Sequence, residues 1–151
     1  MKVALITGGA RRIGSEITRT LMEAGWYVIV HCNRSVDEAN ALISRGNGAV
    51  ISVDLGEEDA AEKLSEMVRD NAMVKERGGL DLIIHNASIY REIPFEKVDA
   101  KTFAEYSKIH VEIPFFLTQF LLNELKTVNG NVIGIIDTSW NHAWKQRFSD
   151  W

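Results

Sequence analysis

The residues that could do chemistry fall in short clusters. Thr7 to Gly14 reads Thr-Gly-Gly-Ala-Arg-Arg-Ile-Gly. Gly8 and Gly9 permit a tight turn, and Gly14 lets the following helix start close to the chain beneath it. The first amides of a helix have no intrahelical partner and favour an anion such as a pyrophosphate. The spacing is not G-x-G-x-x-G, so taken alone the pattern also fits a plain structural turn. Arg11 and Arg12 sit inside this turn, where bulk normally keeps a ligand away. The second cluster is Asn33-Arg34-Ser35. A dinucleotide fold that selects NAD places an acid here. An arginine instead pairs with the 2′-phosphate of NADP, and Ser35 adds a hydroxyl bond. The alternative is an exposed arginine beside a helix cap. Asp54-Leu55 offers a carboxylate that accepts from an adenine amino group or belongs to the cap of the next helix, and both readings stay open. Asn86, Ala87, Ser88 and Tyr90 form a fourth cluster. Its small residues let a ligand pass close to the backbone, and Ser88 and Tyr90 face the open end of a cleft. Asp137 ends an apolar run, as a functional carboxylate or a turn acid. His31, His85, His110 and His142 are scattered without ligand spacing, so no metal site is expected.

Each cluster follows an apolar, β-branched run, and helical text separates the runs. Strands are predicted over 2–7, 26–31, 48–55, 80–87 and 130–137. Helices are predicted over 15–25, with Ile17, Leu21 and Met22 on one face and Gly25 as the stop, and over 35–46, capped by Ser35 with Glu38 three positions on. Two more are predicted over 57–72 and 100–126, the last bent at Pro114. Residues 138–151 read as a loop. Strands apolar on both faces and alternating with helices imply a doubly wound α/β fold: five parallel strands, helices on both faces, one domain over 1–151. In such sheets ligands sit at the carboxyl ends of the strands, where the clusters lie.

Composition narrows the classes. The chain is 46% hydrophobic and 25% charged, which suits a globular domain. A net charge of −4 argues against a nucleic-acid partner. The apolar run at the start is shorter than a signal peptide, and no stretch approaches the ~20 apolar residues of a membrane span. Cys32 is the only cysteine, read as a small buried residue, so no disulfide is expected and a cytoplasmic location is.

Taken together, these residues resemble the short-chain dehydrogenase/reductase family, from Lys2 to about Asp137. The carriers are the Thr7-Gly8 turn, Asp54, the Asn86-Ala87-Ser88 segment and the fifth strand. The likeness is closer to the pteridine reductase and dihydromonapterin reductase branch, through Arg12, the text from Arg34 to Leu42, Tyr90, and His110 to Phe115. It implies a Rossmann-like domain that binds NADP through Thr7, Gly8, Arg12, Ile13, Gly14, Asn33, Arg34, Ser35, Asp54, Leu55, Asn86, Ala87 and Ser88. It implies a pterin-like substrate held by Arg12, Ser88, Tyr90 and Asp137, with Asp137 catalytic. In that branch the arginine at position 12 reaches the cofactor phosphates and the pterin, while Arg11 faces solvent. The pterin would stack between Tyr90 and the nicotinamide. One departure is large. The family's Tyr-x-x-x-Lys after the fifth strand is absent: Lys145 is present, but no tyrosine follows Tyr106. The later strands and the substrate lid of the family fold are missing too. The expectation is therefore a piece of a longer reductase, inactive alone. The alternatives are a non-catalytic NADP-binding module or a reductase of another carbonyl substrate. The long helix is apolar on several faces through Ile109, Ile113, Phe116, Leu117, Phe120 and Leu121; in the family one such face meets the next subunit, so the resemblance implies a homo-oligomer of the complete protein. The tail aromatics Trp140, Trp144, Phe148 and Trp151 mark a lid or a partner surface.

Overall fold

The computed structural model describes residues 1–136. The strands β1 (Val3–Ile6), β2 (Tyr27–Cys32), β3 (Gly48–Ser52), β4 (Leu82–His85) and β5 (Asn131–Gly134) form one parallel sheet in the order β3-β2-β1-β4-β5. Successive side chains of a strand take opposite faces. In β1, Val3 and Leu5 enter one core with Ile29 and Ile83, while Ala4 and Ile6 enter a second with Val28, Val30 and Ile84. A strand with no polar residue needs cover on both sides. The helices α1 (Arg12–Glu23) and α2 (Val36–Ile43) supply one cover through Ile17, Leu21 and Ala39. The other comes from α3 (Ala60–Asp70), α4 (Ala72–Arg77), α6 (Ile113–Phe120) and α7 (Leu122–Thr127), with Leu64, Val74, Leu117 and Leu125 facing in; α5 (Ala100–Ser107) runs ahead of α6. This is the expected five-stranded, doubly wound architecture. The chain winds outward from β1 to β3, then crosses to β4 on the other side of β1. The helices that follow β1 and β4 therefore cover opposite faces of the sheet, the arrangement in which a ligand crevice forms at the carboxyl ends of the strands.

Several local expectations change. Ser35 precedes α2 but makes no side-chain cap bond, so the expected capping box is absent, and Glu38 pairs with Arg11 instead. The helix expected over 57–72 begins at Ala60 and yields at Asn71, whose extended backbone ends α3 and whose side chain accepts from the Met73 amide at 2.9 Å to cap α4. The long helical stretch carries a π turn at Lys108–Glu112 just before Pro114. Proline has no N–H to give to the fourth carbonyl back. The helix widens there, and the Ile113 amide donates to the Lys108 carbonyl, five residues back. Gly25 ends α1 as expected, at φ +81°, with its amide on the Met22 carbonyl and that of Trp26 on Leu21.

Candidate functional site

The turn after β1 and the segment after β4 touch. A Cβ on Gly8, which sits at φ +63°, would lie 3.0 Å from the Ala87 Cα; one on Gly14 would lie 2.2 Å from the Gly8 carbonyl oxygen. Only glycine at both positions allows that approach. The side chains of Thr7 and Asn86 close the contact. Thr7 Oγ1 accepts the Asn86 and Ala87 amides, both at 3.0 Å, and Asn86 Nδ2 donates to the Thr7 and Gly8 carbonyls, both at 3.0 Å. Thr7 is buried. These two residues, expected to touch a cofactor, hold the two loops together.

The two arginines of the turn part ways. Arg11 lies across to Glu38 of α2 in an exposed ion pair. Arg12 opens α1 at φ +51°, a left-handed backbone that favours glycine. The Ser15 hydroxyl holds the Arg12 carbonyl at 2.8 Å. Arg12, Ser88, Ile89, Tyr90, Arg91, Glu105 and Ile109 line one open cleft of about 570 Å³. Three residues expected to meet substrate therefore share a cavity, and Ile13 is exposed beside Arg12. Arg11, preceding α1, makes no side-chain cap bond, so the first amides of that helix have no side-chain cap. Uncapped in this way, this end of α1 suits a pyrophosphate.

At the outer end of the sheet, Asn33 and Arg34 are exposed and Ser35 half-buried. Asp54 is not in the cap of α3, which starts after Asp59. Its Oδ1 accepts the Gly56 amide at 2.9 Å. That bond, with the Asn33 side chain and the charge of Arg34, holds the carboxyl below its usual range against the cost of desolvation. Leu55 is buried among core residues, so only its backbone can face a ligand. Asp137 lies outside the described residues, as do His142, Lys145 and the tail aromatics.

Sequence reasoning missed what aims Tyr90. Tyr106 is buried, and its hydroxyl accepts the Arg91 amide at 2.7 Å and donates to the Arg91 carbonyl at 3.2 Å. His110 stacks on Tyr106 with ring centroids 5.7 Å apart, and its Nε2–H donates to the Ile89 carbonyl at 3.1 Å. The π turn brings His110 to that place. Residues 89–91 are thus pinned from one side, which fixes the wall of the cleft. His85 was missed too. Its Nε2 bonds the Thr118 hydroxyl at 2.8 Å, its Nδ1 is buried with no partner among the described residues, and burial pushes the ring down to about 4. Among the described residues no group of three or more His, Cys, Asp or Glu is placed to hold a metal, and no helix is long and apolar enough to cross a membrane.

Comparison with known proteins follows the same lines. The short chain dehydrogenase family model matches residues 2–145. The short-chain dehydrogenase/reductase homolog YusS of Bacillus subtilis is 31% identical over 104 residues, 67% of this chain and 93% of that protein. Versicolorin reductase 1 of Dothistroma septosporum is 31% identical over 137 residues, 87% of this chain and 50% of that protein. The crystal structure of FolM alternative dihydrofolate reductase 1 from Brucella suis in complex with NADP superposes with a TM-score of 0.85 at 31% identity, over 99% of this chain and 62% of that one. The chain thus spans about half the length of the versicolorin reductase and under two thirds of FolM.

Proposed function

The chain belongs to the short-chain dehydrogenase family, and on that premise we propose that it forms the NADPH-binding part of a reductase whose substrate is a flat pterin. The observation that carries the reading is the cleft in which Arg12, Ser88 and Tyr90 meet beside the uncapped start of α1. The likeness to FolM, a dihydrofolate reductase with NADP bound, supports it. When bound, NADPH supplies the hydride. The chain's own residues hold and orient. The opening amides of α1, with Ile13 and Gly14, take the pyrophosphate. Arg34 and Ser35 take the 2′-phosphate, which a guanidinium meets with paired donors. Asp54 keeps one oxygen beyond the Gly56 bond for an adenine amino group. Ala87 and Ser88 lie where the nicotinamide end would pass. Arg12 turns its guanidinium toward phosphate and substrate, and the Tyr90 ring offers a face for stacking. Asp137 completes the substrate site in this reading. The proton donor is assigned to no residue of the described chain.

The assembly belongs to the same proposal. Val111, Phe115, Phe116, Phe120 and Leu122 are large exposed apolar side chains on the long helical stretch. They suit a second copy of the chain. A carbonyl substrate is the competing reading, favoured by the likeness to the angucycline C-6 ketoreductase LanV, 26% identical with a TM-score of 0.87 over 99% of this chain.

Titration with NADPH and NADH tests the cofactor. NADPH should bind more tightly, and Arg34→Ala should cost it about 1.5–3 kcal/mol while leaving NADH nearly unchanged. Equal affinities for the two would sink the assignment. For the substrate, Tyr90→Ala should weaken dihydropteridine binding by about tenfold or less, since stacking contributes ~0.5–1.5 kcal/mol beyond buried area. Tyr90→Phe should be mild. A loss of thermal stability without a pterin defect would turn the choice to the carbonyl reading.

A further inference from the structure

His31 is the penultimate residue of β2 and only 2% exposed. Its ring lies between two backbone groups of opposite polarity. Nδ1 is 3.2 Å from the Gly8 nitrogen, and Nε2 is 3.0 Å from the Val53 carbonyl oxygen. An amide N–H can only donate and a carbonyl can only accept. The ring must therefore carry its proton on Nε2 and leave Nδ1 bare, which is one tautomer of the neutral form. The His31 carbonyl also accepts the Gly9 amide at 2.9 Å, so both glycine amides of the turn hang from this one residue. A proton added at Nδ1 would set two N–H groups against each other and leave a charge inside the sheet.

We propose that His31 is the positioning residue of the glycine turn, and that the turn keeps its dinucleotide-binding shape only while this ring is neutral. The binding part of this inference rests on the proposed NADPH site. The surroundings are consistent with it. Gly8 and Val53, which bond the ring from just past β1 and β3, carry no charge. Asp54, just past β3, is the charged group that favours protonation, and Arg34 lies close enough to Asp54 to counter part of its charge. Burial outweighs the Val53 bond and Asp54 and keeps the ring's pKa below its ordinary value.

The test uses the full chain, the His31→Gln and His31→Leu variants, and NADPH as the probe. Glutamine can accept from Gly8 and donate to Val53 without titrating; leucine can do neither. Ring-nitrogen NMR at neutral pH should show the Nε2–H tautomer. As pH falls below the ordinary histidine value near 6.5, the Gly8 amide should lose protection from exchange in the wild type and keep it in His31→Gln. NADPH affinity should fall over the same window more steeply in the wild type than in His31→Gln, by about fivefold or more. The 2′-phosphate titrates alike in both proteins, so only the difference counts. His31→Leu should bind NADPH about tenfold more weakly than His31→Gln at every pH. A protonated or Nδ1–H ring at neutral pH would overturn the proposal. So would parallel Gly8 exchange profiles in wild type and His31→Gln. Absence of NADPH binding in all three proteins, with the ring and Gly8 behaving as stated, would remove the cofactor reading and its binding clause while upholding His31 as the residue that positions the turn.

Discussion

At their amino ends, β1 and β4 are joined by a charged lock. Asp81 accepts the Val3 amide at 2.9 Å and two Arg77 nitrogens at 2.8 and 3.0 Å, and the Asp81 amide donates to the Val3 carbonyl at 2.9 Å. At their carboxyl ends the same strands are joined by uncharged groups: Thr7, Asn86 and, one strand over, the neutral ring of His31. The carboxylate of the first end is buried and paired inside the protein. At the second end Arg12 and Arg34 are exposed, and neither enters an ion pair among the described residues. A buried charge with an internal partner is costly to disturb, because removing the partner leaves the charge uncompensated. Charges held out at the ends of strands, on a frame of neutral bonds, remain available to an outside anion. The amino end is built for stability and the carboxyl end for binding.

The largest expected effect lies at the lock. Asp81→Ala removes the acceptor of a buried amide and the partner of Arg77, and should lower unfolding free energy by about 2–4 kcal/mol, read by denaturant titration. NADPH affinity of the folded fraction should hardly move. A variant that unfolds normally but loses the cofactor would break the comparison.

Acid should attack the two ends in sequence. Burial lowers the folded pKa of His85, at the carboxyl end of β4, to about 4. The unfolded ring takes its proton first, so stability held at neutral pH is lost as pH falls from about 6.5 toward 4, by roughly 2–3 kcal/mol. At Asp81 burial pushes the carboxyl up, but the bonds from Arg77 and Val3 outweigh it, and its pKa stays below the usual range. Its contribution is present above the unfolded carboxyl value, near 3.9, and is lost only as pH falls through the lower folded value. Melting temperatures between about pH 7 and 4.5 should therefore decline in the wild type and decline less steeply in His85→Gln, where buried His31 still contributes. An identical decline in both would remove His85 from the account.

The smallest expected effect has the opposite sign. A left-handed backbone at Arg12 costs about 1–2 kcal/mol, and the greater freedom of an unfolded glycine cancels about 0.5–1 of it. Arg12→Gly should stabilise the fold by about 0.5–1 kcal/mol and weaken both NADPH and pterin binding. Calorimetric melting beside ligand titration reads both. A destabilised Arg12→Gly would mean that the arginine serves the fold.

Much of this was legible beforehand because it depends on nearest neighbours along the chain. Apolar runs such as Val3–Ile6, too short for helices and lacking polar alternation, must be buried on both faces, and helices between them require a parallel sheet. The places of Gly8, Gly14 and Gly25 follow from backbones only glycine enters easily. Ser35 misled because a capping box has the same spacing whether or not the hydroxyl reaches an amide, and Glu38 had an arginine from another element within reach. Asp54 stayed open between two readings, and the Asx bond to Gly56 with the later start of the helix removes only the cap reading.

The sequence by itself determined the alternation, the strand-end placement of the polar clusters and the family, since each is written in local pattern and composition. The tertiary structure alone decided which of those clusters share a cavity and what holds them there. Arg12 and Tyr90 are far apart in the chain and meet because β1 and β4 are neighbours in the sheet. Tyr90 is aimed by Tyr106 of α5 and by His110, which hold the flanking Arg91 and Ile89 backbone, and His110 stands in a π turn that no spacing rule foretells. His31 becomes a one-tautomer clamp only when the Gly8 turn and the end of β3 close on it from either side. Hydrogen bonds between distant residues depend on distances set by packing, and packing is a property of the whole sheet.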